Sequence, residues 1–251
     1  MTTRKGTIAA AFSAAATSYE SAAEAQRRVA DSLIMRLGMP VPVRRVLELG
    51  CGTGLLSRRL LAILPEDASL LATDLSPAMI ATASASLADP RLGFAVMDAE
   101  APALAESGFD LVISSLAAQW FADLPATLQR LTDLMAPGGR MLIATLGSET
   151  FGQWRQAHRN AGEESGIPAY PDAAALAAML PGSRVDTSAF TLDYADARAF
   201  LNSLSALGAA TPKPGHRPLP PGRLRRIMAG LGSPCAITWD ILTLDYRKDG
   251  P

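Results

Sequence analysis

The sequence predicts an α/β fold, a mostly parallel sheet with helices on both faces, and three observations predict it. From residue 46 to residue 146, short apolar runs alternate with turn signals and helical patterns, and that order specifies parallel strands joined by right-handed crossovers. The runs, such as Phe109–Ser114 (FDLVIS), are nearly continuous in apolar character, as strands covered on both faces are. The first run, Val46–Leu49, passes straight into Gly50, Gly52 and Gly54 and then into an amphipathic helix, which is how a ligand-binding α/β unit begins.

Taken in order, residues 7–37 read as helical, with apolar residues near helical spacing and Ser18 or Ser21 as a point of division. Gly38 and Pro40 stop that pattern. The segment precedes the first strand, so residues 1–45 are expected to form a helical lid over the site, with the main domain at 46–251. After the glycine loop a helix runs to about Leu64. Ser69–Thr73 is a second strand ending in Asp74, and Pro77 starts a helix at its favoured first-turn position. Leu92–Val96 and Phe109–Ser114 are strands three and four. Leu124–Met135 reads as a helix, Pro137-Gly138-Gly139 as a tight turn and Arg140–Leu146 as the fifth strand. Beyond it, Thr150–Asn160, Asp172–Met179, Asp196–Leu207 and Arg223–Ala229 read as helices, within a span (147–230) that includes insertions on the substrate side. Arg184–Tyr194 and Ala236–Tyr246 read as a closing pair of strands, the last inserted antiparallel.

At 251 residues the chain is long enough for one such domain with an insertion. Its 49% hydrophobic and 19% charged residues fit a soluble globular protein. No apolar run approaches the roughly 20 residues of a membrane span, and the N-terminus lacks the apolar stretch of a signal peptide, so a cytoplasmic monomer is expected. Cys51 and Cys235 have no metal-ligand spacing and are expected to be reduced. The net charge of −1 is unevenly spread: residues 46–150 hold 5 Lys/Arg against 12 Asp/Glu, whereas residues 1–45 and 208–251 each hold 7 against 3. Basic ends folded to one side would put a positive surface beside an acidic crevice. Nucleic acid is a poor partner for it, because no aromatic residue lies between 201 and 238 to stack on bases.

The glycine loop reads E-x-G-x-G-x-G from Glu48. This is neither the dinucleotide spacing nor a phosphate loop with its Lys-Ser/Thr. An acid opening the motif suits an ammonium or sulfonium ligand better than a phosphate. Asp74 lies 20 residues past Gly54 at the end of the second strand, where doubly wound sheets hold an acid that binds ribose hydroxyls. A helix cap is the alternative for Asp74, but Ser76 is placed to supply it. The only histidines, His158 and His216, lie at no strand end and read as surface or capping residues. With no base, metal cluster or nucleophilic triad in view, the chemistry favours a nucleophile already anionic at neutral pH, such as a carboxylate, with a reference pKa of about 4.

In this loop form the sequence resembles the class I S-adenosylmethionine-dependent methyltransferases. The APGGRMLIATL segment is similar to another signature of that class. The resemblance implies a Rossmann-like class I methyltransferase fold with a seven-stranded, mostly parallel sheet, an N-terminal helical lid and a C-terminal insertion. It implies S-adenosylmethionine as cofactor and no metal. Glu48, Gly50, Gly52, Asp74, Leu75, Met79, Asp98, Ala99 and Ser115 would bind the cofactor, with Asp98 near the adenine amino group and the Ala99 amide near a ring nitrogen.

Three further stretches resemble the malonyl-acyl-carrier-protein O-methyltransferases of biotin synthesis: TIAAAFSAAATSYESAAEAQRRVADSL, SSLAAQWFADLP, and FLNSLSALGA with the closing ITWDILTLDYRK. This implies that Tyr19 closes over the methyl donor, that Gln119 positions and that Trp120 contacts substrate. Packing alone would also account for Tyr19 and Trp120. The implied reaction is methylation of the free carboxylate of a malonyl thioester on acyl carrier protein, docked through basic residues such as Lys5, Arg223 and Arg226. Methylation of a small free acid, or a non-methylating relative acting on a protein, are the competing readings.

Overall fold

The computed structural model describes residues 3–38, 43–104 and 107–250, so Pro40 lies outside the described residues. Seven strands form one sheet: β1 (Arg45–Leu49), β2 (Ser69–Asp74), β3 (Leu92–Val96), β4 (Phe109–Ser115), β5 (Met135–Leu146), β6 (Arg184–Tyr194) and β7 (Cys235–Arg247). Their order is β3-β2-β1-β4-β5-β7-β6. The first five are parallel, and β7 runs antiparallel to both its neighbours, β5 and β6. The chain winds outward from β1 in both directions, which opens a crevice beyond the carboxyl ends of β1 and β4.

The helices are α1 (Arg4–Ala15), α2 (Tyr19–Ala22), α3 (Glu24–Leu37), α4 (Leu55–Leu61), α5 (Pro77–Ser86), α6 (Leu124–Leu134), α7 (Gly152–Asn160), α8 (Ala173–Met179), α9 (Ala197–Ala206) and α10 (Pro221–Ala229). Because successive strand residues point to opposite faces, the sheet carries two cores. On one face Val46, Leu111 and Ile113 pack with Val29 and Leu33 of α3 and Leu60 of α4. On the other, Leu47, Val112 and Met141 pack with Leu128 and Leu131 of α6 and Leu176 of α8.

Two sequence expectations change. The helical pattern of residues 7–37 divides at Ser18, one of the two expected points, where the hydroxyl bonds to the carbonyls of Ala15 and Ala206, but it forms three helices where two were expected. Gly208, at φ +70°, lets the backbone of α1 come so close that an added Cβ would lie 2.8 Å from the Ala11 carbonyl oxygen. Pro137-Gly138-Gly139, expected as a turn, lies inside β5. There the pairing with β4 jumps from Phe109–Met135 to Leu111–Arg140, and a Cβ on Gly139 would sit 2.9 Å from the Phe109 carbonyl oxygen. The turn-forming residues make a bulge in a strand.

Candidate active site

Gly50, Gly52 and Gly54 all have positive φ, at 68°, 55° and 89°, where other residues are strained. A Cβ on Gly50 would overlap Ala117, and one on Gly54 would overlap Leu87, whereas one on Gly52 would meet only the Tyr19 ring at 3.9 Å. The outer two glycines therefore serve packing, and Gly52 opens a cradle. Asp74 fixes that loop: its carboxylate accepts from the backbone N–H of Gly52 at 2.9 Å and of Ser76 at 2.8 Å. Ser76 caps α5, accepting from the Met79 N–H at 3.2 Å, so Asp74 is free to face the cavity. Burial, the largest influence, pushes the Asp74 carboxyl up against the opposing backbone amides.

The resulting cavity measures about 740 Å³ out to its mouth. Tyr19, Gly50, Gly52, Asp74, Leu75, Met79, Asp98, Ala99, Ser115 and Trp120 all line it. Burial first, then the Asp74 charge, pushes the Tyr19 phenol up, so it stays protonated and able to donate. Gln119 does not line the cavity: its Nε2 donates to the Leu116 carbonyl at 2.6 Å. Leu116 has φ +53°, an unfavourable conformation for a bulky side chain, and Gln119 braces that turn from behind.

Glu48 opens onto an adjoining recess of about 290 Å³ with Gln26, Tyr19 and Ser115. It is 1% exposed and accepts from the Ser57 hydroxyl at 2.6 Å. Burial pushes its carboxyl up to about 7. Gln26 Oε1 and Ser115 Oγ are buried with no hydrogen-bond partner among the described residues. Two orphaned oxygens and a carboxylate converging on one small recess call for a cationic donor group, and the ammonium of S-adenosylmethionine fits that description. Gln26 was missed as a site residue from sequence. Its signal is a polar residue on the buried stripe of α3, beside Val29 and Ala30.

Lys5, expected on an outer docking surface, points into the donor cavity. Its Nζ lies 2.7 Å from both Asp98 and Glu100. Burial opposes the charge, but the two carboxylates outweigh it and hold the Lys5 ammonium up. Glu100, also missed from sequence, accepts in addition from the backbone N–H groups of Ala122 and Asp123.

Trp120 forms the wall between this cavity and a second one. It meets Phe12 of the lid edge to face, with ring centroids 5.5 Å apart, and it lines both spaces. The second cavity, about 1070 Å³ out to its mouth, is built from α7, α9, α10 and the loops between them. Among the described residues no acidic side chain lines it, in contrast to Asp74, Asp98 and Glu100 in the first. His158, expected at the surface or as a helix cap, is 3% exposed, stands in the last turn of α7 with Nδ1 2.9 Å from the Trp154 carbonyl oxygen, and lines this cavity with His216. Among the described residues no group of three or more His, Cys, Asp or Glu is placed to hold a metal ion. The arrangement suits transfer of a group from a cationic donor on one side of Trp120 to an uncharged or anionic acceptor on the other.

Residues 46–139 match a family described as a methyltransferase domain. The chain is 41% identical over 220 residues to a malonyl-[acyl-carrier protein] O-methyltransferase of Magnetococcus marinus, covering 85% of this chain and 81% of that protein. It is 43% identical over 225 residues to a biotin biosynthesis bifunctional protein of Bordetella avium, covering 88% of this chain but only 48%, about half, of that longer protein. Among solved structures, the YcgJ protein of Bacillus subtilis superposes with a TM-score of 0.63 at 14% identity, covering 89% of this chain and 99% of that one, which speaks for the fold alone.

Proposed function

The chain belongs to the malonyl-[acyl-carrier protein] O-methyltransferase family of S-adenosylmethionine-dependent methyltransferases, and from that premise we propose that it methylates the free carboxylate of a malonyl thioester carried on acyl carrier protein, for biotin synthesis. The observation that carries this reading is the division of charge at Trp120, with acids lining the donor side and none lining the acceptor side.

When bound, S-adenosylmethionine supplies a methyl group on a positively charged sulfur. Glu48, Gln26 and Ser115 would hold its ammonium, Asp74 the ribose, and Asp98 and the Ala99 amide the adenine. Tyr19 would close over the donor beside Gly52, and Trp120 would direct the acceptor. An acceptor carboxylate aligned with that methyl group would take it directly from the sulfur, which would keep the S–C electron pair. No proton moves, so alignment and exclusion of water suffice and no general base is needed.

Basic residues frame the mouth of the acceptor cavity. Leu224 of α10 lines it while Arg225 and Arg226 of the same helix are exposed, and Arg217 is exposed between the lining residues His216 and Pro218. Arg223 and Lys213 are already paired with Glu163 and Glu164, each at 2.6 Å, and Arg225 donates to the Pro221 carbonyl at 3.3 Å, so Arg217 and Arg226 are the first choice as docking residues for an acidic carrier. No helix among the described residues is long and apolar enough to cross a membrane, and a cytoplasmic monomer completes the reading. The test is transfer of labelled methyl to malonyl-carrier protein. Label appearing only on free malonate would replace this reading with that of a small-acid methyltransferase, and no transfer to any acid would end both.

A further inference from the structure

His158 and His216 take no part in the reaction just described, yet they are the only histidines of the chain and both line the acceptor cavity. His158 stands on α7, its ring 4.6 Å from that of Trp154. Its Nδ1 lies 2.9 Å from the Trp154 carbonyl oxygen, one turn earlier. A carbonyl only accepts, so Nδ1 carries the proton and Nε2 presents a bare lone pair. Burial, the largest influence, holds the imidazole below its ordinary pKa; His216 adds to this, and the Trp154 hydrogen bond and the charge of Glu163 oppose it without reversing it, so His158 is neutral at physiological pH. Nε2 has no hydrogen-bond partner among the described residues.

The walls around it include Ile167, Leu201, Leu204 and Leu224 and no acid. A chain lying here is favoured if it is uncharged along its length and brings one donor for Nε2. An alkyl chain lying over Nε2 would strip it of water and offer no donor in return, and a second carboxylate would face a lone pair with no proton to offer. An amide N–H meets both conditions. We infer that His158 is a specificity-determining residue whose Nε2 accepts a hydrogen bond from an amide N–H in the thioester arm that brings the acceptor carboxylate to Trp120. The inference rests on the proposed function, because that reaction requires such an arm to pass through this cavity.

The experiment compares kcat/KM for two malonyl thioesters of equal length, one with an amide in the arm and one with an ester oxygen in place of the N–H. Both are assayed with the wild-type protein, His158→Phe and His158→Gln. The wild-type protein is expected to prefer the amide by about tenfold, the effect of one hydrogen bond. His158→Phe should reduce that ratio to within about twofold of unity, and His158→Gln, whose side-chain carbonyl still accepts, should retain most of it. An unaltered ratio in His158→Phe, or a wild-type ratio near one, overturns the inference and leaves the reaction standing. If His158→Phe fails to fold, His158→Leu, which also lacks the acceptor, takes its place, and the same unaltered ratio overturns the inference. No methylation of either thioester by the wild-type protein removes the proposed reaction and this inference with it.

Discussion

Glu48 is held to about 7 by burial, against a carboxylate's usual 4.5, and this has a measurable consequence. The folded, ligand-free protein keeps a proton that the unfolded chain releases at lower pH, so this group's contribution to stability falls as pH rises from 4.5 to about 7. An ammonium placed beside it favours the ionised form. Binding of S-adenosylhomocysteine at pH 7 should therefore release roughly half a proton, seen as a binding heat that varies with buffer ionisation enthalpy. Glu48→Gln should abolish that variation, and a wild-type heat independent of buffer would show that the ammonium lies elsewhere. Asp74→Ala should weaken cofactor binding by about 1.5–3 kcal/mol through two lost charge-assisted hydrogen bonds. Unchanged affinity in calorimetry would reduce Asp74 to a brace for Gly52. Glu48 and Asp74 were legible in the sequence because a glycine spacing and a strand end fix where they lie. Gln26, Lys5, Glu100 and His158 were not, since a polar residue on a helix or after a strand has no local mark that says what tertiary packing will bury it against.

At the scale of elements, the contacts that hold α1 over the cavity include Lys5 on Asp98 and Glu100, Phe12 on Trp120, the Ser13 hydroxyl 2.8 Å from that of Ser76, and the close approach of Gly208 to Ala11. Losing a partly exposed ion pair costs about 1 kcal/mol at most. Lys5→Ala should therefore speed amide exchange within α1 by about fivefold and leave the sheet's protection in place, as read by deuterium exchange. Equal acceleration in β1 and β4 would mean that Lys5 supports the whole fold. By contrast, Ile113→Ala in the fully buried centre of β4 should cost about 2–5 kcal/mol in chemical denaturation. The central strands were readable because strands buried on both faces leave unbroken apolar runs. The β5 bulge was not, since Pro-Gly-Gly has the same composition in a turn and in a bulge; the division at Ser18 was one of two that the residues offered, but the path of α1 was not readable, because Gly208 decides it from far along the chain.

For the whole molecule, the uneven charge visible in the sequence survives folding, but only some of it is available to a partner. Arg217→Glu with Arg226→Glu should raise KM for malonyl-carrier protein severalfold, with a deficit that shrinks at high salt. Arg223→Glu, which trades one ion pair for a repulsion with Glu163, is the control for a purely structural effect. If the double reversal acted equally on a short malonyl thioester, docking would have to be sought on another face. The sheet order and the donor crevice were readable because local periodicity determines them. The acceptor cavity was not, since α7, α9, α10 and a proline-rich loop enclose it only once folded. The partition of acids between the two cavities also bears on how a turnover ends. In the proposed reaction the donor loses its positive sulfur and the acceptor its negative carboxylate in the same bond exchange. The sulfur then no longer carries the charge that suited it to the acidic side of Trp120, while the ammonium beside Glu48 keeps its own, so the spent donor is held by one charged end where the fresh donor is held by two.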